Sequence, residues 1–485
     1  MLRTGKEHLE KLRDGRTVYI GKEKVEDVTS HPAFRHAAQT VADVYDMKAD
    51  PANRDIMTFE EEGEVSSSYY LRARSKDDLR KRMQTHKKIA DATHGFFGRS
   101  MDHVSSFVAG LCTDVSMLNT EAGNFGDNLL GYYKHMRQSD VYATYAVIPP
   151  QAARDPKYYQ RQNLPIPTLS VVKEEDDGVR ISGMKMLATA AVVCDEVWIG
   201  NVLPLAPELS AQAITCAIPM NSPGLTLWSR KPIEPQASSE FDAPLTWRYD
   251  ETDSMLMCDN VKVPWERIFS YNNAEQSYQM YWKTPSHCYG NHQSNVRYWS
   301  KMQLIVGMCS KVAQATGAIQ VPAVKEVLGR MAALEATLSG MIHGQIEAAE
   351  DWPIGYKTAN RRMMYAALNW CTESYSAIID QLRELTGGGV FQMPADISVM
   401  HDDAMAREFQ TYFQTPQVDA VGRMKLFKLA WDLVGSEFAG RHQQYEKFYA
   451  GASFVVRGHS FREAPWAMFD GVVDEIMAGY DIPPA

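Results

Sequence analysis

Residues 296–317 read VRYWSKMQLIVGMCSKVAQATG and residues 423–451 read RMKLFKLAWDLVGSEFAGRHQQYEKFYAG. Both stretches space their apolar residues at helical intervals over several turns. Comparable patterns run through 323–350 and 358–385, and the last pattern covers 422–449. The C-terminal part therefore predicts helices long enough to pack as a bundle. Between the last two patterns lies TGGGVFQMP, which breaks the helical spacing.

Upstream of the bundle the period changes. From about Thr168 the chain runs through LSVVKEE, a turn at Asp176-Asp177-Gly178, VRISGMKML, EVWIGN, ITCAIPM and SMLMCDNVKV, each bounded by Gly, Pro, Asn or Asp. These runs predict a compact antiparallel β domain that closes at Val263-Pro264-Trp265-Glu266-Arg267. Earlier still, 79–107 carries apolar residues at helical spacing and 114–137 reads as mostly helical, ahead of the turn at Pro149-Pro150-Gln151. The order helical, β, helical predicts an α+β protein: an N-terminal mainly helical domain over 1–145, a β domain over 146–275 and a four-helix-bundle domain over 276–485. A barrel or doubly wound sheet would need strands alternating with helices throughout, and that alternation is absent.

The bulk properties exclude several functional classes. The 485 residues are 45% hydrophobic, enough for a large core, and carry a net charge of -10 with basic residues scattered. Nothing in that distribution attracts a phosphate backbone, so nucleic acid is not an expected partner. The start, MLRTGKEHLEKLRDGRTVYI, is charged and amphipathic without the apolar core of a signal peptide. No run reaches the roughly 18 apolar residues of a membrane span, so a cytoplasmic protein without a membrane partner is expected. Cys112, Cys194, Cys216, Cys258, Cys288, Cys309 and Cys371 form no CxxC pair and are odd in number, which predicts buried reduced thiols and no metal site. GxGxxG after an early strand, GxxxxGK[ST], GxSxG and HExxH are all missing, so nicotinamide, phosphate-loop, serine-hydrolase and zinc-protease chemistries have no signature here.

Polar residues near element ends carry a different signal. Gly98-Arg99-Ser100-Met101-Asp102-His103 follows an aromatic segment, and YATYAVIPPQAAR spans 142–154. Thr189 lies in MKMLATAAVVCDEV, SHCYGNHQ spans 286–293, and Gly435-Ser436-Glu437-Phe438 precedes Arg441-His442. In order and spacing these segments resemble the oxygenase component of the 4-hydroxyphenylacetate 3-monooxygenase family, two-component flavin-dependent phenol hydroxylases on the acyl-CoA dehydrogenase-like fold. The resemblance covers nearly the whole chain, from DGRTVYIGKEKVEDVTSHPAFRHAA at 14–38 to Gly451.

The resemblance implies roles for particular residues. Arg99 would be the cation beside phenol or flavin, and His103 stands where the family has a tyrosine facing them. Tyr145 falls on the family histidine that hydrogen-bonds the phenol; a tyrosine hydroxyl can do the same, but with a pKa of about 10 it is a poor base at neutral pH. His292 falls on the catalytic histidine of the chlorophenol and nitrophenol branch and is the expected base, with His287 as the alternative. Pro150, Gln151 and Arg154 imply a loop along the flavin, and Thr189 a contact from the β domain. Gly387, Gly388 and Gly389 resemble a segment that approaches the FAD pyrophosphate from a neighbouring subunit; a helix C-cap followed by a loop explains the same glycines. Phe448 replaces a frequent asparagine.

The implied activity is hydroxylation of a phenolic substrate through a flavin C4a-hydroperoxide. Reduced FAD would come from a separate NAD(P)H:flavin reductase, O2 would be co-substrate, and the assembly would be a homotetramer. Three other readings stay open: an acyl-CoA dehydrogenase, for which no catalytic glutamate is identified; a 4-hydroxybutyryl-CoA dehydratase, whose iron–sulfur cysteine is replaced by Trp299; and a non-catalytic scaffold of the same fold.

Overall fold

The computed structural model describes residues 2–120 and 123–481. Two sheets form its middle. The larger has six strands in the order Glu23–Val25, Thr17–Ile20, Leu225–Ser229, Asp253–Pro264, Gly178–Thr189 and Ser170–Glu175; the smaller has the order Ile268–Tyr271, Ile214–Pro219, Glu196–Ile199 and Ala143–Ala146. Asp253–Pro264 alternates buried and half-buried residues on either side of the exposed Asp259 and Asn260, as a sheet with one face on the core requires, whereas Glu196–Ile199 is buried throughout.

Most pairings are antiparallel, as the β-type runs predict. Two are parallel: Thr17–Ile20 with Leu225–Ser229, and Ala143–Ala146 with Glu196–Ile199. Both of these added strands come from the segment before residue 147, which is therefore helical only in part. Thr17–Ile20 forms a hairpin with Glu23–Val25 over a turn at Gly21, whose φ of 59° suits glycine. The second added strand matters for chemistry, because its pairing fixes Tyr145 opposite Trp198.

The helical part is organised around Ser286–Ala315, a helix of 30 residues that packs against Lys76–Ala92, Met101–Leu111, Pro322–Glu347 and Arg361–Thr386. It begins at Ser286 and not near 296, so SHCYGNHQ lies inside it. Close approach to Met101–Leu111 depends on Gly290: a Cβ there would stand 2.0 Å from Cε2 of Phe107. Gly290→Ala is expected to overpack this contact and cost roughly 1–3 kcal/mol, read as a lower urea midpoint.

Two expected continuous helices are broken. The pattern over 79–107 divides into Lys76–Ala92 and Met101–Leu111 at His94 and Gly95, which have φ of 47° and 71°. The pattern over 422–449 divides into Ala420–Val434 and Glu437–Lys447, where Ser436 caps the second helix by accepting from the Ala439 N–H at 3.1 Å. The pattern over 323–350 stops at Glu347, because Glu350–Trp352 leaves to pair with Tyr356–Thr358. Among the described residues no helix is long and apolar enough to cross a membrane.

Candidate active site

The stretch 291–301 of Ser286–Ala315 buries Asn291, His292, Gln293, Ser294, Asn295, Arg297, Ser300 and Lys301. Buried polar groups are costly unless partnered, so what each one meets identifies the purpose of this helix. Arg297 makes a two-pronged ion pair with Glu446, at 2.6 and 2.7 Å, and Lys301 reaches the same carboxylate at 2.5 Å. Burial pushes the Glu446 carboxyl up, but the two cations outweigh it and hold it at about 2; burial pulls Lys301 down to about 8 despite Glu446.

Arg297 also lies 4.5 Å from the ring centre of Tyr449, and Arg99 lies 3.9 Å from the same ring. Tyr449 is thus clasped between two guanidiniums. Its carbonyl accepts from Arg99 Nη2 at 2.7 Å, and its hydroxyl donates to the Gly98 carbonyl at 2.7 Å. The backbone N–H of Arg99 donates to Glu251 at 2.7 Å. Arg99 therefore enters the interior held on three sides, with its charge also 5.1 Å from the Tyr145 ring centre.

His103 lies beside this pair, its ring centre 5.5 Å from that of Tyr145 and 5.1 Å from that of Phe107. Its Nδ1 is 3.0 Å from Gln293 Oε1, and its buried Nε2 has no hydrogen-bond partner. Burial, then the charge of Arg99, push its pKa well below the ordinary histidine value. The structure brings Arg99, His103 and Tyr145 together.

It does not bring His292 to them. His292 is one residue from Gln293, hence about 100° around the helix. Its Nδ1 lies 2.7 Å from Gln345 Oε1 on Pro322–Glu347. Its Nε2 lacks a hydrogen-bond partner, and burial pulls its pKa down to about 3. His287 reaches the rim of the cluster, its ring centre 6.0 Å from that of Phe107, but its Nδ1 lies 2.6 Å from the Tyr365 hydroxyl and its ring packs against Trp282. Phe448 is 52% exposed and points outward.

His8 and His292, held near 3, and His459, held near 4, are buried neutral groups. The unfolded chain takes up their protons first, so the stability they contribute above 6.5 is lost as pH falls below that value. Denaturant midpoints measured above and below 6.5 are expected to show the decline.

The cofactor candidates separate into two places. Ile148 and Met186 bridge the segment after Tyr145 to the strand carrying Thr189, and the Thr144 hydroxyl donates to the Thr189 carbonyl at 2.5 Å. Thr189 Oγ1 donates to Asp253, which also pairs with Arg441 and Arg230. Leu187 and Ala190, at φ of 62° each, kink the backbone on either side of Thr189, and Leu187 is 58% exposed. Pro150 is buried, and the turn it opens leaves Gln151 and Arg154 exposed. Gly387 and Gly388 are exposed on the turn after Arg361–Thr386, and Gly389 packs against Phe427. A guanidinium and an amide on the Pro150 turn are donors that suit a pyrophosphate-bearing cofactor, whereas the Gly387 N–H is already bonded to the Arg383 carbonyl.

A cleft of about 750 Å³ lies elsewhere, lined by Leu2, Lys48, Arg54, Ser66 and Gln138 among others. Its buried cation Lys48 is committed to Asp140 at 2.7 Å. Unpartnered chemistry, not void size, marks the Arg99 cluster as the site.

Comparison with known proteins decides the assignment. The 4-hydroxyphenylacetate 3-hydroxylase N-terminal family matches residues 4–270, and its C-terminal counterpart matches residues 277–478. The chain belongs to the 4-hydroxyphenylacetate 3-hydroxylase family. Within this family, the 4-hydroxyphenylacetate 3-monooxygenase oxygenase component of Pseudomonas aeruginosa is 30% identical over 99% of this chain and 93% of that protein. The oxygenase component of 4-nitrophenol 2-monooxygenase from a Rhodococcus species is 29% identical over 99% and 92%. A crystal structure of HpaB complexed with FAD and 4-hydroxyphenylacetate, 28% identical, superposes with a TM-score of 0.92 over 98% of each chain. The fold of this 4-hydroxyphenylacetate 3-hydroxylase family member is accordingly the acyl-CoA dehydrogenase-like one.

Sequence reasoning assigned no role to Asp102, Gln293, Tyr449, Glu446 or Glu251. The available signal was a helix with amide and cationic residues spread over more than one face, Asn291, Gln293, Asn295, Arg297 and Lys301, a pattern that suits a buried polar site.

Proposed function

We propose that this chain is a reduced-FAD-dependent phenol monooxygenase, the oxygenase component of a pair whose NAD(P)H:flavin reductase is a separate protein. The observation that carries the reading is the buried Arg99 guanidinium, walled by Tyr145 and Tyr449 and beside an unpartnered imidazole nitrogen. A phenolate carries negative charge on its oxygen, shared in part with the ring carbons, on an otherwise flat apolar ring. A buried cation framed by aromatic rings fits both parts.

Arg99 holds the phenolate oxygen, with the Tyr145 hydroxyl as a second hydrogen-bond donor. Phe107 forms an apolar wall that keeps water from the reacting ring. Pro150, Gln151, Arg154 and Thr189 hold FAD along the edge of the sheet, with the kinked backbone at Leu187 and Ala190 setting the position of Thr189. When bound, reduced FAD supplies activated oxygen from O2. The names of the relatives, a hydroxyphenylacetate and a nitrophenol monooxygenase, support a phenolic substrate. A supply of reduced flavin from an NAD(P)H-dependent partner fits a cytoplasmic setting.

A homotetramer is part of the proposal, with Gly387–Gly389 of one subunit at the pyrophosphate held by another. Supporting it, the C-terminal helix Trp466–Met477 buries none of its residues, leaving Trp466, Met468, Val472, Val473, Ile476 and Met477 at least 46% exposed. Ending the chain after Glu463 is expected to lower the molecular mass in light scattering to that of a smaller assembly and to weaken FAD binding. An unchanged mass counts against a role for this helix in assembly.

The test of function is a reductase-coupled assay over a panel of phenols, including 4-hydroxyphenylacetate and 4-nitrophenol, with products separated by chromatography. Hydroxylated product that requires both FAD and this chain supports the reading. Flavin binding with acyl-CoA turnover and no phenol product would overturn it.

A further inference from the structure

Asp102 lies at the centre of a buried chain of hydrogen bonds that the phenol-binding reading leaves without a task. One carboxylate oxygen accepts from Gln293 Nε2 at 3.0 Å and from Ser100 Oγ at 2.7 Å; the other faces His86 Nδ1 at 2.8 Å. Asp102 Oδ1 accepts from both Gln293 Nε2 and Ser100 Oγ, so the Gln293 amide turns its NH2 group toward Asp102. That leaves the Gln293 carbonyl oxygen facing His103 Nδ1 at 3.0 Å. A carbonyl oxygen only accepts, so His103 carries its hydrogen on Nδ1 and its lone pair on Nε2.

Nε2 is the atom with no partner in the protein, on a side chain that is 1% exposed. Its ring lies against Tyr145, whose own ring shares Arg99. We propose that His103 Nε2 accepts the substrate's phenolic proton, and that Gln293 and Asp102 are positioning residues that fix the tautomer which makes this transfer possible. The inference rests on the phenol monooxygenase reading and moves the base from His292 to His103.

The transfer balances without any co-reactant. The phenol O–H bond breaks, its electron pair stays on oxygen, and a new N–H bond forms at Nε2. The phenolate faces Arg99, and the proton on Nε2 is returned to the product phenol. The charged and titratable groups around His103 are Arg99 from the preceding turn, Arg297 from the long helix, His86 and Asp102 through the relay, and Tyr145 and Tyr449. Without substrate the nearby cations oppose a charged imidazolium; the phenolate formed beside Nε2 supplies the compensating negative charge, and the proton returns once that charge is lost. His292 has no comparable relay: the Nε2 of its partner Gln345 has no hydrogen-bond partner, so nothing fixes which end of that amide meets the ring.

The probe is 4-nitrophenol, whose phenolate absorbs in the visible, bound to the protein with reduced FAD under anaerobic conditions. In the wild-type protein the bound phenol ionises at a lower pH than in His103→Ala. Asp102→Asn, which lets the Gln293 amide turn over, and Gln293→Met shift the ionisation the same way, and either serves if His103→Ala does not fold. His292→Ala leaves it unchanged. In the coupled assay, His103→Ala lowers hydroxylation of the weakly acidic 4-hydroxyphenylacetate by roughly 100- to 10,000-fold, and that of 4-nitrophenol, already largely ionised in alkaline buffer, by far less. Ionisation at the wild-type pH in all three relay variants, or a shift confined to His292→Ala, overturns the proposal while phenol hydroxylation by the wild-type protein stands. A wild-type protein that hydroxylates no phenol overturns it together with the reading beneath it.

Discussion

Replacing Arg99 by methionine is expected to lower phenol hydroxylation by roughly 100- to 1,000-fold, the usual cost of removing a preorganised group that meets charge developing in the transition state. Methionine keeps much of the volume and apolar stem but removes the charge set between Tyr145 and Tyr449. Because the contact to Glu251 is made by the backbone N–H of residue 99, it survives the substitution, and the fold around Gly98 is kept. Arg99→Lys should fall between wild type and Arg99→Met, since a lysine restores charge without the planar fork that reaches the Tyr449 carbonyl. Steady-state rates of hydroxylated product, beside the affinity for reduced FAD, check this. Equal loss of flavin affinity would show that Arg99 serves the cofactor and not the phenol.

The largest effect on stability is expected from Glu446→Gln. Its carboxylate answers two cations, Arg297 and Lys301, and side-chain exposure at the three positions is 2% or less. Removing one partner of a buried ion pair costs about 3–5 kcal/mol, because the remaining charge keeps its burial and loses its compensation. The loss is expected to be smaller at alkaline pH, where Lys301, already pulled down to about 8, gives up its proton. Adding Lys301→Met to Glu446→Gln should recover part of it. In the wild-type protein the carboxyl is held at about 2 against 4.5, so its contribution is complete above 4.5 and is lost as pH falls from there toward 2. Urea unfolding of the single and double variants measures these differences. Arg297 also braces the ring of Tyr449, so Glu446→Gln should lower hydroxylation as well as stability.

The sequence conveyed the order of layers well, because periods of two and of 3.6 residues are local properties. What it conveyed poorly depends on contacts between distant segments. TVYI at 17–20 was absorbed into a charged amphipathic start, since nothing local announces that Leu225–Ser229 will pair with it more than 200 positions later. Gly435-Ser436 was legible as a motif but not as a break, although the break is what directs His442 and Glu446 toward Lys301. In the candidate site, Arg99, His103 and Tyr145 were found as residues and meet in space. His292 was found by register, and register within a helix fixes sequence position more firmly than direction. One residue later, Gln293 faces His103, while His292 faces Gln345. Glu446 lies 149 positions from Arg297, a separation at which no spacing rule operates.

Oxygen-18 labelling tests the central claim most directly. The chain, FAD, a separate NADH:flavin reductase and 4-hydroxyphenylacetate or 4-nitrophenol would be turned over under labelled O2, and the product analysed by mass spectrometry. The account predicts a hydroxylated phenol carrying a single labelled oxygen atom, formed only when this chain is present and strongly reduced in Arg99→Met. Hydrogen peroxide as the sole oxygen product with every phenol tested, or a hydroxyl group drawn from unlabelled water, would contradict it.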